Sequence, residues 1–315
     1  MLAIQKKQLQ QQKLPFMDNK RILAILAAIG ASTIYGINHT VAKGVMPTYI
    51  EPFGFIFLRV FGAAILFWGI SWMGPKEKIA KSDWPRILGC AVFGMVINML
   101  FFFKGLSLST PINSSVIVTL SPVMVLILAS ILIKERITLL KSIGVILGLA
   151  GALTLVLFSA ESSGNAPNIP LGNALFIVNA FSFGLYLILV KPLTAKYHAI
   201  TLMKWFFLIA VIINFPITIE QFTAVDWLHL PFEAIWKMGF VVLGTTFATY
   251  LLNIYALKRL SASTISVFMY LQPLIAISYA IISGADELNL VKATAGILVF
   301  VGVYLVTKKK TEVRA

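Results

Sequence analysis

Charge is what this sequence has least of. Only 12% of its 315 residues are Asp, Glu, Lys or Arg, while 59% are hydrophobic. Ordinary globular chains are roughly a quarter charged, and no water-soluble domain of this size could cover so much apolar surface. Cysteine is nearly absent too. Cys90 is the only one, so an intramolecular disulfide is excluded, and with three histidines the chain offers no zinc-ligand cluster. A phosphate loop, a nucleophile elbow and a dinucleotide fingerprint are all missing. These gaps predict neither an enzyme nor a resident cofactor. One further absence bears on cargo: no Asp or Glu lies in the middle of any apolar run. A buried carboxylate is the usual proton site inside a membrane, which leaves His39 as the candidate for any proton coupling near the first run.

What the chain does have is long apolar runs. A bilayer-spanning helix needs about 20 mainly apolar residues. Ten such spans are expected, at 21–43, 53–73, 84–106, 112–133, 141–158, 171–191, 199–220, 233–257, 263–282 and 292–307. Their uniform apolar character excludes the alternating strands of a β-barrel. The expectation is an all-α polytopic membrane protein with ten transmembrane helices.

The formal net charge is +14, and its distribution is an orientation signal rather than a nucleic-acid footprint. With alternating spans, twenty of the 26 Lys and Arg residues fall on one side, including Lys76, Lys78, Lys81, Arg86, Lys191, Lys196 and the run Lys308 to Lys310. Acidic loops at Glu161, Glu220, Asp226, Glu233 and Asp286-Glu287 fall on the other. The positive-inside rule then puts both termini in the cytoplasm of a plasma membrane. The first sixteen residues, polar and basic, carry no secretory apolar region, and Met17 is an alternative start.

Two stretches repeat one pattern: "TIYGINHTVAK", ending at Lys43, and "FSFGLYLILVK", ending at Lys191, 148 residues later. Pro122 and Pro273, Lys141 and Lys292, and Leu106 and Leu257 match at a spacing of 151. Five spans per copy is an odd number, so the second copy enters the membrane upside down. Inverted repeats are a recurrent transporter construction, with the substrate near the midplane. The expected organisation is a tail at 1–20, a first five-helix repeat at 21–158, an extracytoplasmic linker at 159–170, a second repeat at 171–310 and a tail at 311–315.

The 5+5 arrangement, the aromatic–Gly…Lys element, "LSPVMVLILASILIKERIT" and the glycine-spaced "GVILGLAGALTLV" together resemble the EamA-type family of the drug/metabolite transporter superfamily. The resemblance covers about Arg21 to Lys310, and "SGADELN" replaces the more family-like "IKERIT" in the second copy. It implies a ten-helix carrier of small metabolites, often an amino-acid exporter, whose helices one, three, four, six, eight and nine surround a central cavity. Small multidrug exporters of the same superfamily use a first-helix glutamate, which this chain lacks. That departure argues against lipophilic cations.

Polar stripes, including Asn113, Ser114, Ser115 and Thr119 on the fourth span, pick out the same helices. Tyr35, Asn38 and His39 on the first span, Asn98 and Phe101 on the third, Tyr186 on the sixth, Thr246, Tyr250 and Asn253 on the eighth, and Tyr270 and Gln272 on the ninth are candidate substrate-binding residues. For isolated Ser, Thr or Gly, helix packing is the favoured alternative. Lys43, Arg59, Lys104 and Lys191 are candidate entrance charges, against the alternative of snorkelling. Arg59, about two turns inside its span, could bond a helix end, pair with Glu51 or attract a substrate carboxylate. Gly144, Gly148 and Gly151 mark a face for packing or for a homodimer contact. The expected partners are the lipid bilayer and a small-molecule substrate, with no nucleic acid. The mixture suits an uncharged or zwitterionic amino-acid-like solute, with a sugar or nucleotide sugar as the alternative and a non-transporting sensor as a second.

Overall fold

The computed structural model describes residues 19–132, 138–158, 166–257 and 271–307. Among these, helices run over α1 (Asn19–Lys43), α2 (Pro52–Ser71), α3 (Lys81–Leu108), α4 (Pro111–Leu132) and α5 (Leu139–Phe158). They continue as α6 (Ile169–Thr194), α7 (Ala199–Thr223), α8 (232–257), α9 (Leu271–Ile282) and α10 (Leu290–Thr307). Seven of them are long and apolar enough to cross a membrane, and α5, α9 and α10 contribute shorter apolar stretches. The α4 segment is broken by a turn at Thr119 and Leu120.

Local sequence explains where the helices begin. Proline, whose missing N–H costs nothing in a first helical turn, opens α2 at Pro52 and α4 at Pro111 and follows the start of α6 at Pro170. Thr110 and Asn168 cap α4 and α6, accepting from Asn113 N and Leu171 N at 3.3 and 3.1 Å. Tertiary partners finish the job. Gln221 at the end of α7 accepts from Phe53 N and Gly54 N at 2.7 and 3.2 Å, satisfying the first turn of α2. The Asp286 carboxylate accepts from Ile112 N of α4 at 3.1 Å, an anion where the helix dipole is positive.

The packing obeys an exchange rule. Let α1 to α5 change places with α6 to α10. Then α2 on α7 and α5 on α10 map onto themselves, α3 on α6 maps onto α8 on α1, and α4 on α6 maps onto α9 on α1; all six packings are present. A two-fold relation between halves of five helices is an inverted repeat. The α5–α10 seam is tight: a Cβ on Gly302 would lie 2.5 Å from Gly148 N and 2.6 Å from Gly144 O. Backbone meets backbone there, and only glycine permits it. Packing within the chain therefore accounts for the Gly144, Gly148 and Gly151 face.

Outward, the same helices present large apolar side chains, among them Ile146, Leu157, Ile212 and Ile297. Exposed apolar surface on this scale fits hydrocarbon as the solvent. The face carrying Lys76, Lys78, Lys81 and Lys196 is called the basic face below. The opposite end, carrying Glu51, Asp226 and Glu233, is called the acidic face.

Candidate functional site

Two wide turns organise the interior. Val92–Ile97 in α3 and Phe240–Ala248 in α8 are π-helical. They occupy matching places, since Gly89 and Gly94 recur as Gly239 and Gly244, 150 residues on. A π turn interrupts the regular i to i−4 ladder and is a common feature of functional sites. Its carbonyls are used by neighbouring side chains here. Ser182 Oγ donates to Phe93 O at 2.6 Å, and Thr246 Oγ1 to Val241 O at 3.0 Å.

Around the α3 turn the chemistry is mostly aromatic. The Tyr186 ring lies directly on Gly94, where a Cβ would come within 2.5 Å of it. Phe183 and Phe206 pack against that ring, with centroids at 5.7 and 6.1 Å. Tyr250 reaches across from α8, its hydroxyl 4.0 Å from Met95 Sδ, with Phe67 and Phe207 edge-on at 6.0 and 5.9 Å. Asn98 and Asn179 clamp α3 to α6 reciprocally: Asn98 Nδ2 donates to Asn179 O at 3.3 Å, and Asn179 Nδ2 to Asn98 O at 2.7 Å.

Around the α8 turn the chemistry is polar and cationic. Thr245 Oγ1 donates to Asn38 Oδ1 at 3.0 Å. Arg59, buried at 8% exposure, donates from Nε to Thr246 Oγ1 at 2.7 Å, and its guanidinium sits 5.5 Å from the centre of the Phe103 ring. Among the described residues Arg59 makes no ion pair, and Glu51 is solvent-exposed. The Tyr35 and Tyr250 hydroxyls lie near the guanidinium. An ionised side chain in a membrane interior is costly unless compensated. The ring of Phe103 supplies part of that compensation.

The structure thus gathers Tyr35, Asn38, Asn98, Tyr186, Thr246 and Tyr250 with Arg59 near the two π turns. His39 stands further toward the acidic face. Its Nδ1 lies 2.7 Å from Ser114 Oγ, and that hydroxyl already donates to Pro111 O at 2.9 Å. A hydroxyl has one proton, so both contacts are satisfied together when His39 Nδ1–H donates; either way the contact ties α1 to α4. Lys43 does not snorkel: Nζ donates to Leu106 O and Ser107 O at 2.7 and 2.9 Å, closing the last turn of α3. Lys104 and Lys191 are exposed, Lys104 within 6.0 Å of the Phe53 ring centre. Phe101, Asn253 and Gln272 are half-buried. The Gln272 carbonyl lies 2.8 Å from the position a Cβ on Gly36 would take, where α1 crosses α9. Tyr270 lies outside the described residues.

Sequence reasoning missed the two π turns and, with them, Thr245, Met95 and Phe207. The available signal was the five-residue Gly89–Gly94 spacing recurring at Gly239–Gly244. It also missed a pocket of about 380 Å3 at the acidic face, lined by Tyr49, Glu51, Gln221, Asp226, Leu230, Pro231 and their neighbours. A shallower apolar pocket of about 300 Å3 runs beside Ile37, Ile275 and Tyr279, between α1 and α9.

Duplicated halves, apolar helices and a polar interior define a class: membrane carriers built from inverted repeats. The model of the EamA-like transporter family matches the chain twice, over residues 22–157 and 170–308. The chain belongs to that family. It is similar to an uncharacterized transporter of Archaeoglobus fulgidus, 28% identical over 278 residues, spanning 88% of this chain and 96% of the relative. An uncharacterized transporter of Methanothermobacter thermautotrophicus is 24% identical over 307 residues, spanning 91% and 86%. The uncharacterized transporter YoaV of Bacillus subtilis is 22% identical over 289 residues, spanning 91% and 97%. A crystal structure with 18% sequence identity shares the fold, with a TM-score of 0.58 over 90% of this chain and 95% of its own.

Proposed function

We propose that this multi-pass membrane transporter moves a small amino-acid-like solute by alternating access, as an exporter or exchanger in the plasma membrane, with both termini cytoplasmic. Arg59 carries the reading. It is a buried guanidinium with one hydrogen bond, to Thr246, and no ion pair among the described residues. A carboxylate presented from the bundle centre would supply the missing counter-charge through the bidentate geometry that arginine favours. The rings of Tyr35, Tyr186 and Tyr250 would enclose an apolar portion. Asn38, placed by Thr245, would orient polar groups beside it.

The test is transport by purified protein in liposomes across a panel of amino acids. Movement of at least one of them, strongly reduced in Arg59→Gln, is expected. If none of the panel moves, the substrate class is wrong. Exchange of a nucleotide sugar against a nucleoside monophosphate would establish the sugar alternative instead.

A further inference from the structure

The exchange of halves pairs two loop junctions on opposite faces, and the two are in different states. On the basic face, the chain after α6 is fastened to the start of α3. Tyr197 OH donates to Asp83 Oδ2 at 2.8 Å and accepts from Ala80 N at 3.0 Å. Lys196 Nζ bonds both Asp83 oxygens at 3.0 and 3.1 Å. His198 N adds a bond to Glu77 Oε2 at 2.8 Å. The Asp83 side chain is left only 7% exposed.

On the acidic face the corresponding junction joins the chain after α1 to the start of α8. Tyr49 stands 148 residues before Tyr197, the spacing that relates Lys43 to Lys191. The backbone confirms the match: Tyr49 N bonds Val45 O at 3.0 Å, and Tyr197 N bonds Leu193 O at 2.9 Å, the same turn in each copy. Glu233 stands 150 residues after Asp83, the spacing that relates Gly89 to Gly239 and Gly94 to Gly244. Leu230 stands at that same spacing from Ala80.

Here the latch is unmade. Among the described residues the Tyr49 hydroxyl makes no hydrogen bond, and Tyr49 and Leu230 instead line the pocket of about 380 Å3. The Glu233 side chain is 61% exposed and pairs with Lys237 of its own helix at 2.5 Å. Lys237 in turn approaches the Tyr49 loop, its Nζ 3.0 Å from the position of a Cβ on Gly44. The position matching Lys196 is Thr48, so the cation of this junction comes from α8 rather than from the loop.

We infer that Tyr49, Glu233 and Lys237 form the second of two alternating latches, closing the acidic-face pocket when the Tyr197–Asp83–Lys196 latch on the basic face opens. In the closed form Tyr49 OH donates to the Glu233 carboxylate and accepts from Leu230 N, as Tyr197 does with Asp83 and Ala80. These residues position the gates and do not touch the solute. The inference rests on the alternating-access reading above, but its test needs no substrate, so it can fail while the carboxylate reading stands, and the reverse.

The experiment joins Tyr49→Cys to Glu233→Cys in the full-length protein in membranes; Cys90 is buried and can stay. Cross-linking by a short bismaleimide is compared with and without Tyr197→Phe, which keeps the ring and removes the latch oxygen. Loss of hydrogen bonds to a charged group should raise the cross-linking rate about ten-fold. Labelling of a lone Tyr49→Cys by a membrane-impermeant maleimide should fall in parallel. Asp83→Asn should act in the same direction and replaces Tyr197→Phe if that variant does not elute as a folded protein. Equal cross-linking with the basic-face latch intact or broken, absence of cross-linking in every background, or unchanged labelling would each overturn the inference.

Discussion

The π turns of α3 and α8 are one backbone device placed twice, yet they meet opposite chemistry. Over the α3 turn the occupant is the Tyr186 ring, seated on Gly94. Over the α8 turn the occupants are the Asn38 amide on Thr245 and the Arg59 guanidinium on Thr246. Tyr186 and Asn38 are themselves related by the 148-residue spacing of the repeat. Duplication therefore preserved the backbone irregularity while the side chains diverged, leaving one wall aromatic and the other polar. A solute with a charged end and an apolar end would find both walls complementary, and a symmetric one would not. The contrast also separates two jobs. The wide turns are shared and serve the fold, whereas the residues covering them differ, and on the proposed reading it is these that would set selectivity.

The largest effect is expected at the polar wall. Arg59→Gln keeps a hydrogen-bonding head and removes the charge. Charge-assisted hydrogen bonds contribute about 1.5–3 kcal/mol, so transport of a carboxylate-bearing solute should fall roughly 10- to 100-fold in proteoliposomes. Arg59→Lys should recover only part of it, because an ammonium cannot grip Thr246 and a carboxylate in the same planar geometry. Transport unaffected by Arg59→Gln would erase the distinction between the walls.

The equivalent glycines sharpen the comparison next. Gly94→Ala would place a methyl 2.5 Å from the Tyr186 ring, whereas the same change at Gly244 meets its nearest neighbour, Phe240, at 3.4 Å. Overpacking costs about 1–3 kcal/mol, so Gly94→Ala should lower the thermal midpoint in detergent clearly. Gly244→Ala should leave it unchanged or raise it slightly, since alanine is the better helix residue by about 1 kcal/mol. Equal destabilisation at both sites would mean that Tyr186 does not rest on the turn as described.

How much of this was legible in the sequence depends on scale. The helical runs were, because each had to satisfy hydrocarbon. The duplication was too, because Tyr35-Gly36 and Phe183-Gly184 survive in both copies. The π turns were not, because a π turn and an α turn have the same hydropathy and differ only in which amide meets which carbonyl. Stripes located the polar residues but could not say which of their atoms were already satisfied. Asn98 illustrates this: its amide nitrogen is engaged by the Asn179 carbonyl. Arg59 has three alternatives in sequence, and only the folded arrangement separates Thr246 of α8 from Glu51. For Lys43, sequence offered water as the destination of the ammonium, while the structure supplies the last carbonyls of α3. The latch residues were invisible for another reason: Asp83 and Tyr197 lie 114 positions apart and share no local pattern.

A smaller effect is expected where each wall is tied down by a single hydroxyl. Thr245→Val removes the donor to Asn38 Oδ1, and Ser182→Ala removes the donor to Phe93 O. Each should cost about 1 kcal/mol of stability. Only Thr245→Val should also weaken transport, because it frees the Asn38 amide that the proposed reading assigns to the solute on the polar wall. Ser182 serves the backbone of the aromatic wall. If Ser182→Ala impairs transport as much as Thr245→Val at equal stability, the aromatic wall contributes polar recognition as well.

The smallest effect should come from Tyr186→Phe. In the structure the work at this position is done by the ring, which covers Gly94 and packs against Phe183 and Phe206. Removing the hydroxyl keeps every one of those contacts. Stability should therefore stay within about 0.5 kcal/mol of the parent, and transport of a solute with an apolar side chain should persist. Tyr186→Ala is the contrasting change, since it uncovers Gly94 and opens a cavity, and losses of about 3–5 kcal/mol are typical of aromatic truncation. A large defect in Tyr186→Phe would instead mean that the phenol, within electrostatic reach of Tyr35 and Tyr250, belongs functionally to the polar wall across from it.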